Sequence, residues 1–205
     1  MNTEKQIKIL VYVLLMALIG FAIGVYFKMH SGLRPYKWSN GESIFEVMPV
    51  KEKDTIMYAI KIYFPNDPKP YLIYLRYGPR EVSDIKLDGQ IKKKIADDKL
   101  VYITIDPEEN LTGKTVVGAL EITKFLANRM FYNIPVKSAL TKKHGNKDVK
   151  TCADATDKES IIWLKLGNET KVYSSNNCII VQGINEEEII RASDRLCLHL
   201  LGIMR

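Results

Sequence analysis

From Ile9 to Phe27 the chain reads ILVYVLLMALIGFAIGVYF, an apolar run without a formal charge. At about 1.5 Å per residue, a helix of that length covers roughly 30 Å, the thickness of a bilayer's hydrocarbon. Glu4, Lys5 and Lys8 precede the run, and Lys28, His30, Arg34 and Lys37 follow it, so both ends are held in water. A secretory signal peptide has the same order of parts, and Ala22-Ile23-Gly24 offers a small-x-small cleavage site, but its apolar region usually covers only about 7–15 residues. The expectation is an uncleaved transmembrane helix over residues 9–27. Residues 1–8 form a short tail, 28–42 a juxtamembrane stalk and 43–205 the extramembrane domain. Gly20 and Gly24 make a GxxxG pair with Ala17 near the same face, a spacing that lets two helices approach closely, and they are the candidate face of a homodimer.

The run also explains the composition. A hydrophobic fraction of 46% and a mean hydropathy of −0.10 describe an ordinary folded domain, yet they sum a lipid-soluble segment and a polar remainder. That remainder is long enough to bury one core, which excludes disorder, a polytopic transporter and a disulfide-dense miniprotein. The net charge of +6 is dispersed. Lys92-Lys93-Lys94 and Lys142-Lys143 are too short for the basic stripe of a nucleic-acid module, so no nucleic-acid partner is expected.

In the stalk, Tyr36 and Trp38 suit the headgroup level while Arg34 and Lys37 attract anionic lipid; an exposed linker without a lipid role fits equally. Beyond it, Ser43–Val50 and Thr55–Phe64 read as a hairpin around the charged turn Lys51-Glu52-Lys53-Asp54. Asn66-Asp67-Pro68-Lys69-Pro70 ends it, and Tyr71–Tyr77 reads as another strand. Lys86–Ala96 allows a short helix, Leu100–Ile105 a buried strand, Thr115–Phe131 an amphipathic helix and Val136–Leu140 a strand. That strand, helix, strand order implies a parallel pair. Ser160–Leu166, Lys171–Tyr173 and Cys178–Gln182 are further strands. Asn185 caps a final helix whose first turn, Glu186-Glu187-Glu188, suits the helix dipole, and Gly202 marks its stop. The expected fold class is α/β: a transmembrane helix followed by a single mixed-sheet domain with a carboxy-terminal amphipathic helix.

Gly113-Lys114-Thr115 falls between a strand and a helix, where a phosphate loop belongs. The full pattern needs glycine at position 108, and Glu108 stands there among Asp106, Pro107 and Glu109, which opposes nucleotide binding; the bland reading is that Thr112-Gly113 starts the helix. His30, His144 and His199 have no partner at ligand spacing. Cys152-Ala153-Asp154-Ala155-Thr156-Asp157 lacks the glycine and terminal glutamate of a calcium loop and reads as a turn with Asx-type hydrogen bonds. No nucleophile elbow or HExxH occurs. Neither catalytic residues, a metal site nor a cofactor is therefore assigned, and an enzyme is unsupported. One would need a concave site at the carboxyl ends of the central strands, near Asp106 and Gly113, lined by converging polar groups.

The side of the membrane is left open by the flanking charges, since Lys5 and Lys8 are balanced by Lys28, Arg34 and Lys37. Asn110-Leu111-Thr112 and Asn168-Glu169-Thr170 are glycosylation sequons, at a frequency close to chance. Cys152 precedes one strand and Cys178 opens another. They are either a disulfide across neighbouring strands or two small buried hydrophobes, and Cys197, between Leu196 and Leu198, reads as packing.

Thr151–Thr156, Ile162–Tyr173, Cys178–Gly183, Ile190–Leu196 and Leu200–Ile203, with a weaker echo in Arg76–Glu81, give the carboxy-terminal third a pattern that resembles a group of uncharacterised archaeal single-pass membrane proteins. The resemblance implies a surface-facing α/β domain behind an amino-terminal anchor and a Cys152–Cys178 disulfide outside the cytosol; it supplies no catalytic residues. The expected function is thus a membrane-anchored extracytoplasmic interaction or cell-envelope module, with a protein partner or a second copy as its binding partner. The alternatives are a membrane-tethered enzyme and a cytosol-facing recruitment module.

Overall fold

The computed structural model describes residues 3–31, 34–64, 67–88, 91–175 and 178–205; Gly32 and Leu33 of the stalk and Asn66 of the proline turn lie outside the described residues. Helix α1 spans Thr3–Ser31. Within it, Gln6–Tyr26 is long and apolar enough to cross a membrane, with a hydropathy of 2.6 and no side chain buried.

The remainder is a mixed α/β domain with two sheets. Strands β1 (Tyr36–Ser39), β2 (Ile44–Glu52), β3 (Thr55–Ile62) and β4 (Tyr71–Leu75) form an antiparallel sheet in chain order. The β2–β3 hairpin turns through Lys53 at φ 53°, with Glu52 opposite Thr55. The second sheet contains β5 (Lys86–Asp88), β6 (Leu100–Ile105), β7 (Val136–Leu140), β8 (Glu159–Leu166), β9 (Lys171–Ser175) and β10 (Cys178–Gly183), in the order β5-β9-β10-β8-β6-β7. The β6–β7, β6–β8, β8–β10 and β5–β9 pairs are parallel and β9–β10 is antiparallel, so the sheet is mixed as its connections require.

Three expectations shift. Tyr36–Ser39, inside the stalk, pairs with β2, and the indole of Trp38 donates to the Ile203 carbonyl at 3.1 Å. Both rings are held by the domain rather than offered to headgroups, because docking satisfies their polar tips. Lys86–Asp88 is a strand on β9, leaving helix α2 only Ile91–Ala96. Helix α3 runs Gly113–Leu126 and stops short of Phe131, where Ala127 caps it and Ile134 N returns to the Leu126 carbonyl at 2.8 Å.

Helix α4 (Glu186–Leu200) starts as its sequence dictates: Asn185 accepts from Glu188 N at 2.9 Å. It ends in a Schellman turn, with Ile203 N on the Leu198 carbonyl, Gly202 N on that of His199 and Gly202 at φ 74°. Its buried residues lie on every side, from Ile189 through Asp194 and Cys197 to Leu200. One continuous core joins it to Phe125 of α3, Val47 and Ile60 of the small sheet and Leu164 and Val181 of the large one. Such burial accounts for most of the domain's stabilisation, at roughly 25 cal/mol per Å² of apolar area.

Candidate functional site

Four places gather the sequence's chemically interesting residues. The first is the opposite face of the large sheet, where a smaller core of Tyr102, Ala139, Ile161, Cys178 and Ile180 is covered by Cys152 and Ala155. Cys152 sits in a 3₁₀ turn, Cys152–Asp154, and Cys178 is the first residue of β10; they form a disulfide with Cα atoms 5.1 Å apart. Asp154 accepts from Thr151 N at 2.7 Å and Thr151 Oγ1 at 2.9 Å, so its carboxyl is held below its ordinary range and the segment is the expected polar turn. The bond pins this turn to the central strand. Cys197 is buried and burial pushes its thiol up, which leaves it a packing residue.

The second is the carboxyl end of the parallel strands. Glu186, the first residue of α4, lays its carboxylate on the start of α3. It accepts from Thr112 N at 2.8 Å, Thr112 Oγ1 at 2.9 Å, Thr115 N at 3.1 Å and Thr115 Oγ1 at 2.8 Å. Burial raises the Glu186 carboxyl, the hydrogen bonds from Thr115 and Thr112 outweigh it, and the net shift is downward. The position a phosphate takes in a nucleotide loop is thus filled by a side chain of the protein itself. A Cβ at Gly113 would meet nothing within 4 Å, so no close backbone approach demands glycine there. Glu109 accepts from Leu166 N at 3.0 Å, while Asp106 accepts from Glu108 N at 2.9 Å and pairs with Lys142 at 3.2 Å. A depression of about 500 Å³ remains beside Thr112, Lys114 and Asn185, with the Glu186 carboxylate on its wall already bound to Thr112 and Thr115. Asn110, at φ 50°, and Asn168 are exposed in the turns after β6 and β8 at this same end.

The third is a polar seam where the sheets meet across α4. Tyr36 Oη donates to Glu81 at 3.0 Å and accepts from Arg80 N at 3.3 Å, and Tyr58 lies beside the same carboxylate. Burial, then Glu81, pushes the Tyr58 phenol up to about 12. A Cβ on Gly78 would stand 2.6 Å from Tyr36 Oη and 2.7 Å from Glu81, so only glycine fits. Arg191 ties Asp84 at 2.7 Å, Glu188 at 2.8 Å and the Glu81 carbonyl at 2.6 Å, while Tyr77 Oη donates to Glu187. Below them Asp194, fully buried, accepts from Tyr77 N at 2.7 Å. Burial first, and Glu121 second, push its carboxyl well up from the ordinary carboxylate range. Sequence reading missed Arg191 and Asp194; the available signal was their position in the RASDRLCLHLL stretch, charges interleaved with Ala192, Leu196 and Leu198 in a helix.

The fourth is an apolar groove of about 560 Å³ between α3 and β7, the outermost strand of the large sheet. Ile103, Ile105, Val136 and Leu140 form its floor and Val116, Ala119 and Leu120 its wall, with Lys137, His144 and Lys147 on the rim. Val116 and Leu120 are 52% and 61% exposed, although α3 buries its other face against α4. His144 and Lys147, from the lysine-rich loop 142–150, bound one side of this groove.

Gly20 and Gly24 lie on exposed α1 with open space beside them. Among the described residues no three His, Cys, Asp or Glu side chains gather as a metal site. No protein-family model, curated protein or solved structure matches this chain.

Proposed function

We propose that this chain is a single-pass membrane protein whose α/β domain lies outside the cytosol and serves as an interaction or cell-envelope module. The observation that carries the reading is one chain joining a helix of exposed apolar side chains over Gln6–Tyr26 to a domain closed by the Cys152–Cys178 bond. Such a helix is stable in lipid rather than water, and disulfides persist in oxidising compartments. Residues 32–35 separate α1 from β1 and reach at most about 18 Å, which keeps the domain against the bilayer. β1 meets the end of α4 through Trp38 and Ile203, so the tether joins one end of that helix and the Asn110 and Asn168 turns lie towards the other.

Interaction is favoured over catalysis because the carboxylates of Asp106, Glu109 and Glu186 at the strand ends are bound within the chain, whereas the α3–β7 groove leaves apolar surface open. Protease added to intact cells is expected to remove the domain, and non-reducing mass spectrometry of protein from its native membrane is expected to find Cys152 joined to Cys178. A domain protected until the membrane is opened, with both thiols free, places it in the cytosol instead. Alkaline extraction should leave the intact chain in the membrane; a released chain beginning after Gly24 would identify a cleaved signal peptide.

A further inference from the structure

We propose that the outer edge of β7 and the groove beside α3 together dock an extended segment of a partner protein, apolar on one face and acidic on the other, which adds to the large sheet as a further strand. This deepens the interaction reading above and does not depend on the side of the membrane.

The backbone of β7 supplies the first argument. Its inner edge is taken by β6, with Thr141 N on the Ile105 carbonyl at 3.0 Å and Val101 N on that of Pro135 at 3.0 Å. Its outer edge is already used as a template by the protein's own loop: Leu140 N donates to Asp148 O at 2.9 Å, and Lys150 N donates to Leu140 O at 2.8 Å. Successive residues of a strand present their backbone groups to alternate edges, so Val136 and Ser138 face outward with Leu140. An open edge of this kind is a standing site for strand addition.

The side chains supply the second. Val136, Ser138 and Leu140 also line the groove, so a strand added at this edge delivers every second side chain into the apolar space against Val116 and Leu120. Main-chain hydrogen bonds then give affinity and the groove selects aliphatic residues.

Charge identifies the occupant. Lys142 is engaged by Asp106 and Glu108, whereas Lys137 and Lys147 on the rim form no ion pair among the described residues. Carboxylates on the incoming segment match this rim. A second copy would set the same basic rim against itself across a two-fold axis. An acyl chain would leave the edge amides and carbonyls of Val136 and Ser138 without partners.

The test uses the full chain in nanodiscs of uncharged lipid and a fluorescent octapeptide alternating glutamate and valine, with a lysine and valine octapeptide as control. Anisotropy is expected to show saturable binding of the acidic peptide, about tenfold or more tighter than the control. Ser138→Pro removes one outward N–H at an edge where proline is tolerated, and Leu120→Glu puts charge in the groove; each should weaken binding about tenfold while the melting temperature is retained. Lys147→Glu, on an exposed loop, should lower the preference for the acidic peptide and remains informative if Leu120→Glu does not fold. No saturable binding, or unchanged binding by Ser138→Pro, overturns the proposal. So does palmitate displacing the peptide from an unaltered edge, or sedimentation showing a dimer that Leu120→Glu dissociates. Failure of peptide binding with the domain still accessible in intact cells removes the docking site and leaves the membrane placement standing.

Discussion

Glu186 at the start of α4 places a carboxylate oxygen 2.8 Å from the Thr115 hydroxyl and 3.1 Å from the Thr115 amide, so one helix supplies the anion that caps another. The Thr115 amide and the positive dipole end of α3 thereby meet a carboxylate of the same chain, while Lys114 N donates to Thr112 Oγ1. This contact joins the two long helices at the carboxyl end of the large sheet, the place where an α/β enzyme usually binds its ligand.

Replacing Glu186 by Ala is expected to cost about 1–2 kcal/mol, the range for losing a helix cap with its hydrogen bonds. Its folded pKa lies below the unfolded value, so its stabilising contribution is present above the ordinary carboxylate range and is lost as pH falls through the folded value. Thermal unfolding as a function of pH should therefore show a shallower acid decline for Glu186→Gln than for the wild type.

Asp194 has the opposite sign. Its folded pKa is raised by burial and by Glu121, so the native state binds the proton more tightly and stability falls as pH rises above the unfolded value. Asp194→Asn keeps an acceptor for Tyr77 N and should flatten this decline with rising pH. Asp194→Ala abandons that amide and is expected to cost about 1–3 kcal/mol, measured by denaturant unfolding.

The Cys152–Cys178 bond closes a segment with a sequence separation of 26 residues. Loop-closure entropy for that length corresponds to about 3–4 kcal/mol, so Cys152→Ala or reduction should lower the melting temperature of the domain by several degrees or more. The intervening segment contains β8 and β9, and hydrogen exchange should rise first in the Cys152 turn that the bond pins.

Two glycines should respond in opposite ways. Gly78→Ala drives a methyl into Tyr36, Glu81 and Tyr58, at an expected cost of about 1–3 kcal/mol. Gly113→Ala, at the first residue of α3 with nothing within 4 Å, should be neutral or stabilise by up to about 1 kcal/mol. Equal losses at both positions would contradict the tight contact at Gly78.

Much of the fold was readable because local rules and tertiary packing agree. Leu100–Ile105 and Val136–Leu140 are strands at the expected residues, and Asn185 and Gly202 bound α4 as their chemistry predicts. Tyr36–Ser39 was not readable, since a short mixed-polarity segment becomes a strand only when β2 offers an edge. Lys86–Asp88 is hidden for a different reason: three residues carry too little periodicity to distinguish a strand from a helix start. Among site residues, the spacing of Cys152 and Cys178 fits either a bond or two buried thiols, and only the approach of their Cα atoms to 5.1 Å joins them.

By itself the sequence determined that a long apolar helix precedes a single polar α/β domain, and that no complete catalytic or nucleotide motif is present. Both follow from composition and spacing along the chain, which need no knowledge of distant contacts. Tertiary structure alone decided that the strands divide into two sheets around α4, that Glu186 rather than a ligand caps α3, and that Arg191, Asp194 and Glu81 knit the seam. These depend on residues far apart in sequence meeting in space, where burial and hydrogen bonding set charge and position in ways no local pattern encodes.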